Sequence, residues 1–469
     1  MYEIHPYFTN DGSVGLFSPE ADDIYHSTYG ALAEAYEKFV LPAELEKYFQ
    51  NNSQIKVLDI CYGIGYNTKS FLNFLLEKNI INFQNKNFKK IKKNNSFKQN
   101  NVPIHTDNIK NNKYNSKIYS NNTNYNDKVY SNNISEETQT QNAHERAINS
   151  GALYSNNISD RNSVSKVQNN KIFIKAIDTD AKLFYFSPFF RQGLEKDKKY
   201  NNIDFNYEKI NKLLKGNFEQ KYKLKNEVNL FIFKNIIEKM PEIYDDIEFE
   251  QILTSKKYSA FFDKEFIALF KLLKNNQSKY AFCTRITTFL HNIYYRYISN
   301  RYKMALNALY LNDFVFEPEV EDARTSLIND KNIYNLIFLD AFTPAKCPAL
   351  WSLEFFKLLF EHLDKDGMIL TYSNSAAVRN AMINAGFYVG KIYNPEIDKY
   401  TGTIAVKNKS LIKYELSEYD LGLINSRAGI FYRDENLSLA NEAIIASHEI
   451  EVKNSDKISS SRFIKDFKK

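Results

Sequence analysis

Val57-Leu58-Asp59-Ile60-Cys61-Tyr62-Gly63-Ile64-Gly65-Tyr66-Asn67 is the stretch that decides the fold. An apolar strand ends in an acid, and a glycine-rich turn then opens a helix expected from about Thr68 to Glu77. Small residues in such a turn let the backbone approach a ligand closely. The helix N-terminus supplies unpaired N–H groups that suit a carboxylate. The spacing is not the dinucleotide fingerprint G-x-G-x-x-G, because Thr68 and Cys61 stand where glycines would be needed, and it lacks the Gly-Lys-Ser/Thr of a P-loop. A purely structural strand–turn–helix would use the same residues, so the rest of the chain has to decide.

Working outward, a β-type run at 171–177 leads to Ala176-Ile177-Asp178-Thr179-Asp180. An acid ending a second strand is where α/β nucleotide sites hold ribose hydroxyls, since a carboxylate accepts two O–H bonds. Asp178 fits that place better than its neighbour Asp180. A third β-type run, Phe314–Val320, is followed by Glu321-Asp322-Ala323-Arg324. Asp322 there could accept from an adenine amino group, cap the next helix, or do both. Tyr334–Leu339 reads as a buried strand, 351–362 as a helix, Met368–Tyr372 as a strand and Ser375–Ala385 as a helix stopped by Gly386. Phe387–Ile392 and Thr403–Val406 suit a terminal hairpin. Alternating strand and helix predicts an α/β fold, an open, mostly parallel sheet with helices on both faces.

Four segments follow. Residues 1–82 carry the glycine-rich loop. Residues 83–170 are dominated by Asn, Lys, Ser and Tyr, with Tyr-Ser-Asn-Asn recurring at 119, 130 and 154. That segment has too little apolar surface to offset the entropy of ordering and is expected to be a disordered insertion. Residues 171–311 hold the second strand and a helical insertion, in which Tyr294, Tyr295 and Tyr297 suit a core or lid helix. Residues 312–469 complete the α/β domain and add a tail. The chain is 43% hydrophobic, enough for a large core, and its net charge of +6 is compatible with an anionic partner without identifying one. Cys61, Cys283 and Cys347 form no CxxC pair and show no zinc spacing with the histidines, so neither a disulfide framework nor a metal is expected. No signal peptide and no membrane-spanning run is expected, which points to the cytoplasm.

The most specific stretch is Phe338-Leu339-Asp340-Ala341-Phe342-Thr343-Pro344-Ala345-Lys346-Cys347-Pro348-Ala349-Leu350-Trp351. A buried strand delivers Asp340 to the carboxyl edge of the sheet, where open α/β sheets bind ligands. Two prolines stiffen the loop beyond it. A carboxylate beside a transferable methyl group suits amine methylation, because it can hydrogen-bond the amine and aim its lone pair.

Asp340 to Trp351 resembles the D-A/G-F-x-P-A-K-x-P-x-x-W signature of the methyltransferases that complete 5-methylaminomethyl-uridine at the tRNA wobble position, the MnmC-type family. Gly12-Ser13, Phe17-Ser18, Asp22–Ser27, Gly30, Leu32 and Glu34 are similar to its opening. Gly367–Ser373, Val378-Arg379, Ala385–Phe387 and Arg427–Asp434 are similar to its last third and tail. Cys61 departs from the family's glycine, Tyr36 from its arginine, Phe431 from its proline, and Glu321 stands where glycine is usual.

The resemblance implies a Rossmann-type fold with a seven-stranded sheet and S-adenosyl-L-methionine (SAM) as cofactor. It implies transfer of a methyl group to 5-aminomethyl-(2-thio)uridine at tRNA position 34, and a functional link to the enzymes that install the aminomethyl group. The oxidoreductase half of some members has no counterpart here, so FAD is not expected. Asp340 would be the catalytic residue. Asp59, Gly63, Gly65, Asn67, Asp178 and Asp322 would hold the cofactor. Glu34, Phe342, Pro344, Lys346, Trp351 and Arg433 would face substrate or RNA. Two other readings stay open: a SAM-dependent methyl- or aminopropyltransferase for a small amine, and a SAM- or RNA-binding protein without catalysis.

Overall fold

The structure is a computed structural model and describes residues 2–81, 170–193, 221–277 and 314–468. The insertion expected over 83–170, except Asn170, lies outside the described residues, as do Cys283 and Tyr294, Tyr295 and Tyr297.

Ten strands are described: β1 His5–Phe8, β2 Val14–Ser18, β3 Asp23–Ile24, β4 Gln54–Ile60, β5 Lys171–Asp178, β6 Phe314–Val320, β7 Tyr334–Leu339, β8 Leu363–Thr371, β9 Tyr388–Asn394 and β10 Lys399–Val406. The last seven form one sheet in the order β6-β5-β4-β7-β8-β10-β9. It is parallel from β6 through β8, while β10 runs antiparallel to both β8 and β9. The expected seven-stranded, mostly parallel sheet is therefore present, built from three of the four sequence segments.

The strand order reverses between β4 and β7, and ligand crevices of open α/β sheets form at such a point. Side-chain alternation explains the layering. Ile55 and Val57 of β4 enter one core with Leu336 and Phe338 of β7. Leu58 and Ile60 enter the other with Ile337 and Leu339. The first core is covered by helices at Tyr66–Glu77, Ala181–Phe186 and Asn226–Lys239. The second is covered by Ala323–Asn329, Leu353–His362 and Ala376–Asn384. The Ser352 hydroxyl caps the middle one of these through Phe355 N–H, 3.3 Å away. Gly386, at φ +106°, ends the last one as the sequence predicts.

A feature absent from the sequence reading is the small antiparallel sheet β1-β2-β3. Its short strands carry few apolar residues in alternation, which hides them from pattern reading. It brings Ser18, Glu20, Ala21 and the run from Asp23 to Ser27 to the wall of the cleft.

Candidate active site

The carboxyl ends of four parallel strands meet at one cleft of about 620 Å³. Backbone bonds carry the ladder past the strand ends. Tyr62 N–H donates to Ile177 O (3.0 Å), Glu321 N–H to Asp178 O (3.0 Å) and Asp340 N–H to Ile60 O (3.3 Å). The chain segments bearing Cys61, Asp178, Asp322 and Asp340 are thereby fixed around a common opening.

The loop after β4 is held by backbone conformation. Gly63 has φ +55° and Gly65 φ +79°, in the left-handed region. A methyl group on Gly65 would lie 2.3 Å from the Tyr62 ring, so this glycine serves packing within the loop. Gly63 instead lies on the cleft wall, and its N–H donates to Asp178 Oδ2 at 2.8 Å. Cys61, which stands in the family's glycine place, also adopts φ +62° and lines the cleft. The loop keeps the geometry of a glycine there at the cost of backbone strain.

Asp178 also accepts from Asp180 N–H at 3.2 Å, and burial raises its pKa to about 6. Its two oxygens accept more bonds than these, and it faces the cleft, as a ribose partner must. Asp180 is the N-cap of Ala181–Phe186 and accepts from Tyr2 OH at 2.5 Å, so it is spent on structure. Asp322 caps Ala323–Asn329, and it also lines the cleft. Arg324 grips both its oxygens, with Nη2 at 2.7 Å from Oδ2, and reaches Asp434 with Nη1 at 2.7 Å. Asp434 is fully buried, so the C-terminal tail is clipped onto the far end of the cleft. The residues on this wall fit a nucleoside-bearing cofactor: an unfilled glycine, an acid with free acceptor capacity and a second acid beyond it.

At the other end stands Asp340. Asn67 Nδ2 donates to its Oδ2 at 2.9 Å. Burial, then the nearby Glu34 carboxylate, pushes its pKa up to about 7. Glu34 accepts from Ser27 N–H at 2.9 Å and pairs with Lys38. Burial opposes the Glu34 charge, but Lys38 and that N–H outweigh it and its pKa is lowered. Phe342 meets the Tyr25 ring edge-on at 4.9 Å and its carbonyl accepts from Trp351 Nε1 at 2.8 Å. Tyr372 OH donates to Ala341 O at 2.9 Å.

Of the residues expected from sequence, Gly63, Asp178, Asp322, Glu34, Phe342 and Asp340 line the cleft. Asp59, Gly65, Asn67, Pro344, Lys346, Trp351 and Arg433 do not line it. Asp59 is sealed beneath the helix at Tyr66–Glu77, where Thr68 Oγ1 donates to it at 2.6 Å. Asn67 reaches the site only through Asp340, and Trp351 braces the loop from a fully buried position. Lys346 pairs with Asp22 at 3.6 Å and Arg433 with Glu354 at 2.7 Å, both on the surface. Sequence reasoning missed Lys38, Tyr25, Tyr372 and Asn441, which do line the cleft. Lys38 was readable as the i+4 partner of Glu34; Asn441 carried no signal.

The wall is acidic. It carries Glu20, Asp23, Glu34, Asp178, Asp180, Glu321, Asp322 and Asp340 against the cations Lys38 and Arg324. Among the described residues no cluster of His, Cys, Asp and Glu is arranged to hold a metal ion, and no helix is long and apolar enough to cross a membrane.

Residues 284–408 match the model of a family described as S-adenosyl-L-methionine-dependent methyltransferase. Over these residues the chain is similar to that methyltransferase family. An uncharacterized protein of Methanocaldococcus jannaschii is 32% identical over 132 residues, which are 28% of this chain and 36% of that one. The chain thus spans about a third of the length of this curated relative. The crystal structure of MnmC2 from Aquifex aeolicus is similar at a TM-score of 0.47 and 16% identity, over 97% of this chain and 87% of that one.

Proposed function

We propose that the cleft transfers a methyl group from SAM to the primary amine of 5-aminomethyl-(2-thio)uridine at tRNA position 34, giving 5-methylaminomethyl-(2-thio)uridine. The observation that carries this reading is Asp340: a half-buried carboxylate at the strand-order reversal, fixed by Asn67, with a pKa raised to about 7. When bound, SAM supplies a methyl group on a positively charged sulfur, whose C–S pair stays on sulfur as the C–N bond forms. The chain's own residues do the rest. Gly63 and Asp178 would hold the ribose end, and Ala323 and Asp322 line the cleft beyond them. Asp340 accepts a hydrogen bond from the amine, orients its lone pair and takes the proton that the new secondary amine sheds. Its raised pKa makes it a better proton acceptor than an ordinary carboxylate. Tyr25, Phe342 and Tyr372 provide neutral walls for a flat ring. The C-terminal resemblance from Asp340 to Trp351 supports the tRNA substrate.

One observation favours a second reading. Eight carboxylates against two cations suit a small polycationic amine as acceptor. A competition assay separates the two. Labelled methyl groups should enter tRNA taken from cells lacking this protein, and millimolar diamine should not divert them. Label in the diamine and none in tRNA would establish the small-amine reading instead.

A further inference from the structure

The acidic wall creates a problem for an RNA substrate: phosphates are repelled by the same carboxylates that favour an amine. Contacts that bring an RNA loop to Asp340 must therefore lie outside the cleft and need not be ionic. The sheet provides a surface of that kind. Thr371 of β8 pairs with Thr403 of β10, so Tyr400 lies beyond the carboxyl end of β8, on the rim that carries Asp340 and Tyr372. Asn374 Nδ2 reaches the Tyr400 carbonyl at 3.5 Å, on the same rim. Tyr400 is two strands from β7, roughly 10 Å at the usual strand spacing.

Tyr400 is not alone. Tyr393, its cross-strand partner on β9, lies 5.5 Å away ring to ring. Tyr414 lies 5.2 Å from Tyr393 and 6.0 Å from Tyr400. Lys391 Nζ sits 4.0 Å from the Tyr400 ring. Core tyrosines would be covered, yet Tyr400 is 46% and Tyr414 40% exposed. Single-stranded RNA is gripped in this way, by bases stacking on aromatic faces.

We propose that Tyr393, Tyr400 and Tyr414 form a stacking platform that holds bases of the substrate's single-stranded loop beside the cleft. The platform rests on the tRNA reading above, and it lets a polyanion dock next to an acidic site through aromatic faces beside the Lys391–Asp420 ion pair. The test compares wild type with a Tyr400→Ala/Tyr414→Ala double variant and a Tyr400→Phe/Tyr414→Phe double variant, using tRNA from cells lacking the protein. The alanine pair should raise the KM for tRNA at least tenfold, given the usual worth of a base stack. Its KM for SAM should stay within twofold, which also reports an intact fold. The phenylalanine pair should recover wild-type KM, and the alanine defect should persist at raised salt, where ionic contacts fade. An unchanged KM for tRNA in the alanine pair would overturn the platform and leave the tRNA reading standing, as would a phenylalanine pair as defective as alanine. A wild-type protein that methylates no tRNA overturns both.

Discussion

Asp59 and Asp340 stand at the ends of neighbouring parallel strands, and both have raised pKa values, to about 8 and about 7. One is sealed and the other is open. Asp59 pairs in register with Phe338, on the face covered by the helix at Tyr66–Glu77, and meets Thr68. Asp340 lies beyond the last paired residue of its strand, accepts from Asn67 of that same helix, and reaches the cleft. Burial raises both, but only position relative to the end of the ladder decides which can meet a substrate. A strongly shifted acid at a strand end is therefore no marker of chemistry until its exposure is known.

The sharpest way to break this comparison is to replace one carboxyl group at a time. Asp340→Asn should lower turnover by about 10²–10⁴-fold, the usual worth of a positioned acid–base group. Asp59→Asn should stay within a few-fold of wild type. Equal losses from the two variants would show that both acids act through the fold alone.

The next largest effect is on the loop that joins the two acids. Gly65→Ala forces a side chain into φ +79° against the Tyr62 ring. It should cost about 2 kcal/mol in a denaturant titration. A neutral outcome would mean that the loop has an alternative conformation.

A smaller effect follows from the Asp59 pKa. Because burial lifts it above its ordinary value, the protonated form stabilises the fold. That contribution is complete below the unfolded-state pKa of about 4 and is lost as pH rises through about 8. Asp59→Asn should therefore make the decline of stability between these limits shallower. A slope identical to wild type would mean that Asp59 is ionised in the folded protein.

Smallest of all is Cys61→Gly. Relief of φ +62° strain should outweigh the lost thiol packing and stabilise the protein by no more than about 1 kcal/mol. Destabilisation beyond that amount would show that the thiol holds the loop.

The contrast also explains what the sequence made legible. β7 is found where it was read, Tyr334–Leu339, because a run buried on both faces needs no partner information. That Asp178 and Asp340 reach the cleft was legible because each stands at the carboxyl end of an apolar run. Asp59 was placed with the cofactor because sequence shows the strand end but not the helix that covers it. Lys346 and Arg433 sat on recognisable motifs, yet their carboxylate partners Asp22 and Glu354 come from distant segments. The Arg324–Asp434 clip is a pairing across 110 residues, which no local pattern announces. Strands β1 to β3 were hidden by their length.

The most direct test of the central claim uses labelled SAM and tRNA from cells lacking this protein, incubated with wild type, Asp59→Asn and Asp340→Asn. The tRNA is digested and its nucleosides are weighed by mass spectrometry. N-methylated 5-aminomethyl-uridine species should form with wild type and Asp59→Asn and be almost absent with Asp340→Asn, while all three bind SAM. No such nucleoside with wild type, despite SAM binding, would contradict the account and move the search to small amines.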